Sequence, residues 1–544
     1  MKIIITLFIF LFQFTGVIAD DLLTVAEKSD FTKTSLHADV LELILSAQNR
    51  SPQIQVATLG KSTEGKIIPL VIISEEGITK AYEQRNLGKP VVLILANIHA
   101  GEVEGKEACQ MLIRDIALGK LRELLENQVI LVVPNFNPDG NDKLSAENRR
   151  DMGPELAGER YNGQNLDLNR DFIKLESPEV SGLVRIFNEW DPILFVDMHT
   201  KNGSYHQAPV TFCTAANPNT SPEIMGYMWN ELFPAVQKLM RKKYGYESIP
   251  YGNFVDRGDP EKGWRNYSFG ARLSTNYVGL RNRLAILDEN YPHVDFKTRV
   301  LSSYAFIKSI LEYTNSNAEK LAALVKSADF KTRKNFVQQG FVTEFDEVKL
   351  MDVTLKSYEF DVRQIPTEEA DKYPSWWDGV IVEKTEVPRD YHVPYLAKAE
   401  PTKQISLPRG YILLPAQKDA AILLQKHGIV LKRIVRTQRL NVEEFKISDI
   451  KISDELYQGH VFVSAKGEYQ PAEIEIPENS WYISLKQPLA RIAAILLEPQ
   501  SDDNLLAYGY FNKVIAHQWG KNRPNIYPVY RVIDDVPVEA IIGK

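Results

Sequence analysis

The stretch Lys89–Gln110, KPVVLILANIHAGEVEGKEACQ, restricts the fold more than any other. Val91 to Ala96 form an unbroken apolar run of leucine and β-branched residues, the pattern of a strand buried on both faces in the middle of a parallel sheet. The run stops at Asn97, His99 and Glu102 follow within a glycine-containing turn, and a helical pattern runs from Lys106 to about Leu118. Two side chains able to bind a metal therefore fall at the C-terminal mouth of a central strand, where open α/β sheets place their sites.

An isolated H-x-x-E recurs by chance, so the rest of the chain has to supply the context. Histidine nitrogen and carboxylate oxygen are both good zinc ligands, and a catalytic site uses three protein ligands with one position left for water. Pro192–Thr200, PILFVDMHT, is a second apolar run that ends in a histidine, His199, and it offers the third ligand. Arg283–Tyr291, RLAILDENY, is a third such run and ends in acid. Alternation along it puts Glu289 on one face with Ala285 and Leu287, and Asp288 on the other with Leu284 and Ile286, so only one of the two acids can face the site.

H-x-x-E at one strand end, a later histidine at another and a glutamate on a third, with NPDG at Asn137–Gly140 and DLNRD at Asp167–Asp171 between them, resemble the zinc metallocarboxypeptidases related to carboxypeptidase A. The resemblance spans about residues 35 to 315. It implies a mixed, mostly parallel central sheet flanked by helices, an α/β fold, with one Zn²⁺ per chain held by His99, Glu102 and His199. It further implies Glu289 as general base, Asn169 and Arg170 as holders of the substrate's terminal carboxylate, and Arg149 or Arg150 as the cation that polarises the scissile carbonyl. Arg149 is preferred of the two. The mobile tyrosine of the family matches Tyr267 most nearly, with Tyr277 next. His206 reads as a wall of the cleft, since a fourth protein ligand would close the metal's open position.

Other zinc hydrolases use a related constellation. Amidohydrolases that deacylate N-acyl amino acids share H-x-x-E and a distant histidine, and a non-catalytic peptide-binding relative is a further alternative. NPDG and LNRD favour a peptidase acting on a peptide or protein C-terminus.

At 544 residues the chain exceeds one typical core. Its net charge of −7 is not gathered into blocks, which argues against a nucleic-acid partner. Lys2 precedes an apolar run from Ile3 to about Phe12, and Val17-Ile18-Ala19 stand before Asp20. Residues 1–19 thus read as a secretory signal, and the mature chain as a secreted or periplasmic protein without a membrane span. An uncleaved anchor is the alternative. The two cysteines, Cys109 and Cys213, read as buried free thiols.

The catalytic unit is expected over residues 20–318 and an accessory α+β, β-rich unit over 319–544. Within the latter, Val342–Leu407 reads as short alternating strands separated at Pro366, Pro374 and Pro388, Gly410–Ile434 as strand, helix, strand, and Ala490–Leu497 as a helix or a strand. No metal-ligand spacing occurs there, so packing against the cleft or restricting access to it is the expected role.

Overall fold

The computed structural model describes residues 22–149, 153–201, 203–373, 379–516, 525–534 and 540–542. Residues 1–19, where a secretory signal is expected, Arg150 and Pro374 lie outside the described residues. Ten strands precede the accessory region: β1 (Ile54–Lys61), β2 (Ile67–Ile73), β3 (Val91–Ala96), β4 (Val129–Val133), β5 (Leu194–Thr200), β6 (Val210–Cys213), β7 (Ser248–Pro250), β8 (Asn253–Phe254), β9 (Trp264–Arg265) and β10 (Leu284–Asn290). Eight of them form one sheet in the order β1-β2-β4-β3-β5-β10-β6-β7. The centre of the sheet is parallel, β4 with β3, β3 with β5 and β5 with β10; β1 with β2, β2 with β4 and β10 with β6 are antiparallel, and the edge pair β6 with β7 is parallel.

Every residue of β3, β4 and β5 is buried, because helices cover both faces of the sheet. On one face Ile94, Val196, Met198 and Ile286 pack with the helices His37–Arg50, Glu104–Ala117 and Phe296–Ser316. On the other, Leu93, Leu95, Phe195 and Ala285 pack under the helices Pro178–Trp190 and Ser274–Leu280. Each of the larger of these side chains contributes about 1.5–3 kcal/mol on burial, so the central strand ends form a stiff platform.

Past β10 the chain runs through Phe296–Ser316 into a second long helix, Ala318–Gln339. Then come β11 (Phe341–Gln364), β12 (Val380–Ile405), β13 (Gly410–Leu413), β14 (Lys432–Ile434), β15 (Gln438–Tyr457), β16 (His460–Ile476), β17 (Trp481–Ser484), β18 (Ile526–Val532) and β19 (Ala540–Ile542). The short strands expected over Val342–Leu407 are instead one long antiparallel hairpin, β11 with β12. Pro366 lies in its connection, whereas Pro388 sits inside β12 opposite Tyr358. Along most of this two-stranded arm β12 has a free outer edge, so a proline there removes no ladder hydrogen bond. Ala490–Leu497 is a helix, and Gly410–Ile434 contains the expected strand, helix and strand.

The accessory region is not tethered by a linker. One apolar cluster continues from Leu93, Phe195 and Phe187 through Leu423 and Leu424 of the helix Lys418–Lys426 to Ile483 and Ile492. Within that region Glu498 is fully buried and accepts from Arg531, Tyr411 and Tyr469, with Tyr411 OH and Arg531 Nη2 both at 2.6 Å.

Candidate active site

His99 and Glu102 stand on the turn between β3 and the helix Glu104–Ala117. Asn97 makes that turn possible by adopting a left-handed backbone (φ 66°), a conformation asparagine tolerates better than most residues. Its Nδ2 donates to Asn135 Oδ1 at 2.8 Å and Asn141 Oδ1 at 3.0 Å, so the segment leading into NPDG braces the turn. NPDG itself is a buried scaffold. Asn137 caps Gly140 N–H at 3.0 Å, and Asp139 accepts from Ser62 Oγ at 2.6 Å and Glu64 N–H at 2.9 Å. Gly101 is required by close approach, because a Cβ there would stand 2.7 Å from the Gly158 carbonyl oxygen and 2.8 Å from Arg149 Cγ.

His199 ends β5, and register pairs it with Glu289 on β10. In-register neighbours of parallel strands share a face, so both side chains project from the face that carries Phe195 and Ala285. Asp288 points the other way and is fully buried. Ligand atoms of His99, Glu102 and His199 all lie within 4.8 Å of one another, the one such group of three among the described residues. His199 Nδ1 is 2.9 Å from Glu102 Oε2 and 3.2 Å from His99 Nδ1, and His99 Nδ1 is 3.1 Å from Glu102 Oε1.

The remaining ring nitrogens decide whether this donor set suits a metal. His99 Nε2 lies 3.0 Å from Asp167 Oδ1, and His199 Nε2 lies 2.9 Å from Asp197 Oδ2. Each imidazole is thus oriented by a buried carboxylate, leaving Nδ1 toward the cluster, which is the arrangement that fixes tautomer and ring angle in metal sites. Two such histidines with one carboxylate fit zinc.

The charges are strongly coupled. Burial would raise Glu102, but His99 and Arg149 hold its carboxyl well below the usual range. Burial likewise opposes charge on His199, yet Asp197 and Glu102 carry it well above the ordinary histidine value. Glu289 keeps partial exposure at the mouth of the cleft while desolvation pushes it up to about 8, with His199 and Lys201 pulling the other way. Lys201 follows His199 by two residues and is buried between the rings of Tyr251, 5.1 Å away, and Trp264, 4.9 Å away. Desolvation lowers it to about 7, and Glu289 is the acid that opposes this.

Of the residues expected from sequence, Arg149 bonds through Nη2 to Glu102 Oε1 and so lies at the cluster. Asn169 is buried, with Nδ2 3.4 Å from His199 Nε2 and Oδ1 accepting from Ser274 N–H at 2.9 Å. Arg170 is half-buried, and its Nη1 donates to the Asn169 carbonyl at 2.8 Å. Tyr267 OH is 3.1 Å from Thr275 Oγ1, and its ring meets Tyr251 edge-on at 5.6 Å. Tyr277 is a core residue, bonded through its hydroxyl to His427 at 2.8 Å, and takes no part in the cluster. His206 is buried against Tyr291 with ring centroids 4.0 Å apart, outside the ligand group. Cys109 and Cys213 are buried and free.

Several participants were not singled out from sequence. Asp197 is two residues before His199, so strand alternation alone would have placed it on the same face. Asp167 stood inside DLNRD without a role of its own. Arg160, with Nη2 2.8 Å from Asp167 Oδ2 and Nη1 3.6 Å from Glu102 Oε1, carried no signal, since a loop arginine is ordinarily a solvated charge.

Residues 40–204 match the zinc carboxypeptidase family model, Peptidase_M14. A carboxypeptidase 2 from Trichophyton tonsurans is 23% identical over 490 residues, covering 87% of this chain and 81% of that protein. Human carboxypeptidase Z is 30% identical over 171 residues, 30% of this chain and 25% of its own length. Among solved structures, the carboxypeptidase A of Helicoverpa armigera is 17% identical with a TM-score of 0.40, covering 53% of this chain and 75% of that one. No helix among the described residues is long and apolar enough to cross a membrane. Residues 40–204 thus match the zinc carboxypeptidase family model, and the chain is similar to named carboxypeptidases through most of its length.

Proposed function

We propose that the protein is an exported carboxypeptidase that removes C-terminal residues from peptides, with one zinc ion held by His99, Glu102 and His199 and with Glu289 as general base. The observation that carries this reading is the convergence of three ligand groups, His99 and Glu102 from the turn after β3 and His199 from β5, with Glu289 in register beside His199 on the adjacent strand. When bound, zinc polarises a carbonyl and brings the pKa of water toward neutrality.

The chain's own residues do the rest. Glu289 takes a proton from the attacking water on its carboxylate oxygen and delivers it to the leaving amine. A carboxyl raised by desolvation is suited to both halves of that transfer, because its pKa stands near the working pH. Arg149 supplies a fixed cation for the charge that develops on the carbonyl oxygen, and groups aimed at developing charge contribute most to rate. Asn169 and Arg170 receive the terminal carboxylate, Arg170 through its planar fork. Tyr267, whose hydroxyl burial keeps protonated, donates to the bound substrate. Residues 20–318 form the catalytic unit, and the segment from 319 onward supports it. The apolar run within residues 1–19 directs export.

The test compares a peptide with a free C-terminus, the same peptide amidated, and an N-acyl amino acid, each with and without a chelator. Hydrolysis of the free acid alone, abolished by the chelator and restored by zinc, is the expected result. Preferential turnover of the N-acyl amino acid would replace the peptidase reading with deacylation.

A further inference from the structure

Far along the chain, β15 and β16 form a hairpin whose tip comes to rest on the catalytic region. Tyr457 pairs with His460 across a tight turn, and both central residues are left-handed, Gln458 at φ 50° and Gly459 at φ 79°. Gln458 Oε1 accepts the backbone N–H of Asp167 at 2.8 Å. His460 Nε2 lies 2.6 Å from Glu176 Oε1. The rings of Tyr457 and Phe462 hold the Arg272 guanidinium at 5.3 and 5.2 Å, and Arg272 Nε is 2.8 Å from Asp503 Oδ1.

These contacts fall on two segments that meet at Asn169. Asp167 orients His99 through Oδ1, and the same oxygen accepts Asn169 N–H at 2.9 Å. The Arg272 carbonyl accepts Phe172 N–H at 3.3 Å, and two residues on, Ser274 bonds Asn169 Oδ1 through its N–H and Asp197 Oδ2 through its hydroxyl. A displacement of Asp167 would move the His99 ring and Asn169 together. A displacement of Arg272 would reach Asn169 and the carboxylate behind His199.

We propose that the β15–β16 tip is a positioning element of the active site: Gln458 fixes Asp167, and the Tyr457–Phe462 pair fixes Arg272, so that the accessory region sets the geometry of both the metal ligands and the group receiving the terminal carboxylate. The part concerning substrate rests on the reading of Asn169 and Arg170 given above; the part concerning His99 does not. Gln458 touches neither substrate nor metal and acts through Asp167.

The experiment uses the full chain with zinc bound and compares Gln458→Ala, Phe462→Ala and Arg170→Ala with the parent. Three quantities are measured: the rate of zinc release into a chelator, KM and kcat for a free-acid peptide, and thermal stability. Gln458→Ala is expected to raise KM about fivefold, the size of one net hydrogen bond, to speed zinc release about threefold, and to leave kcat and the melting temperature near parent values. Phe462→Ala is expected to raise KM in the same direction. If both variants keep KM and zinc release within about twofold of the parent while Arg170→Ala raises KM, the clamp is overturned and the carboxylate reading stands. If Arg170→Ala leaves KM unchanged, the carboxylate reading fails and zinc release decides alone: faster release from Gln458→Ala sustains the clamp, and an unchanged rate overturns it.

Discussion

The turn after β3 and the ends of β5 and β10 deliver His99, Glu102, His199 and Glu289 from a sheet packed on both faces, whereas β15–β16 delivers Gln458 from an arm whose outer half is mostly exposed. The two regions meet at Asp167, whose side chain orients the candidate ligand His99 and whose backbone N–H is taken by the hairpin. The difference separates two kinds of rigidity. In the sheet, position follows from burial of whole strands, and a ligand cannot shift without opening the core. At the tip, position follows from a few polar and ring contacts spread over a turn, each worth on the order of 1 kcal/mol. Changes at the sheet end should therefore alter chemistry and metal retention by orders of magnitude, and changes farther from it should act as modest adjustments.

Glu289→Gln breaks the comparison hardest. It keeps the shape of the side chain and removes the proton acceptor, so kcat is expected to fall about 10²–10⁴-fold, while bound zinc, measured by atomic absorption, stays at the parent level. Near-parent turnover would place the base elsewhere. Asp288 is a poor substitute, since it faces the opposite side of the sheet beside Cys109, whose thiol it helps to raise.

Arg149→Ala comes next. Its guanidinium bonds Glu102 from a loop, with Arg160 reaching the same carboxylate oxygen from 3.6 Å. Removing a cation aimed at developing charge costs about 10²–10³-fold in kcat. Parallel kinetics on Arg149→Ala and Arg160→Ala show which of the two serves the oxyanion: the larger kcat loss is expected for Arg149, and the reverse order would transfer the role to Arg160.

How much of this was legible beforehand follows the same division. Continuous apolar runs ending in polar residues marked β3, β5 and β10, and with them the three ligand groups and Glu289, because a strand buried on both faces must be apolar until it leaves the core. Period-two alternation separated Glu289 from Asp288 and would have found Asp197. Nothing comparable marked Gln458. A glutamine beside a glycine signals a turn, but which loop that turn rests on is decided by contacts far away in sequence. The β11–β12 hairpin departs from the expected short strands for a related reason: prolines punctuate a strand inside a sheet but are tolerated along a free edge, so Pro388 does not end β12.

Asp197→Asn probes the support behind a ligand rather than the ligand. The charge on Asp197 raises the basicity of His199, and losing such a partner typically costs 10–100-fold in metal affinity. The proton follows with a definite sign. Because His199 stands well above its ordinary value, protons compete with zinc, and affinity should rise with pH as one is displaced. Without the Asp197 charge the His199 pKa falls, so proton competition weakens and the pH dependence should flatten toward the acid side, while the lost basicity lowers the affinity reached at alkaline pH. Zinc titration at several pH values measures both, and an unchanged slope would mean that Asp197 does not govern the His199 proton.

The smallest effect is expected from Lys201→Met, which keeps the stem between Tyr251 and Trp264 and removes the charge. A cation near Glu289 favors the ionised carboxylate, so its removal raises the Glu289 pKa. The base acts when ionised, and activity on the acid side should therefore fail at a higher pH in the variant, by roughly one pH unit or less for a single charge at this range. The acid limb of kcat/KM against pH reads the shift directly. A limb that stays in place while KM changes would assign Lys201 to substrate contact instead, and would show that the row Asp197, His199, Lys201, in β5 and just past its end, divides into support, ligand and recognition.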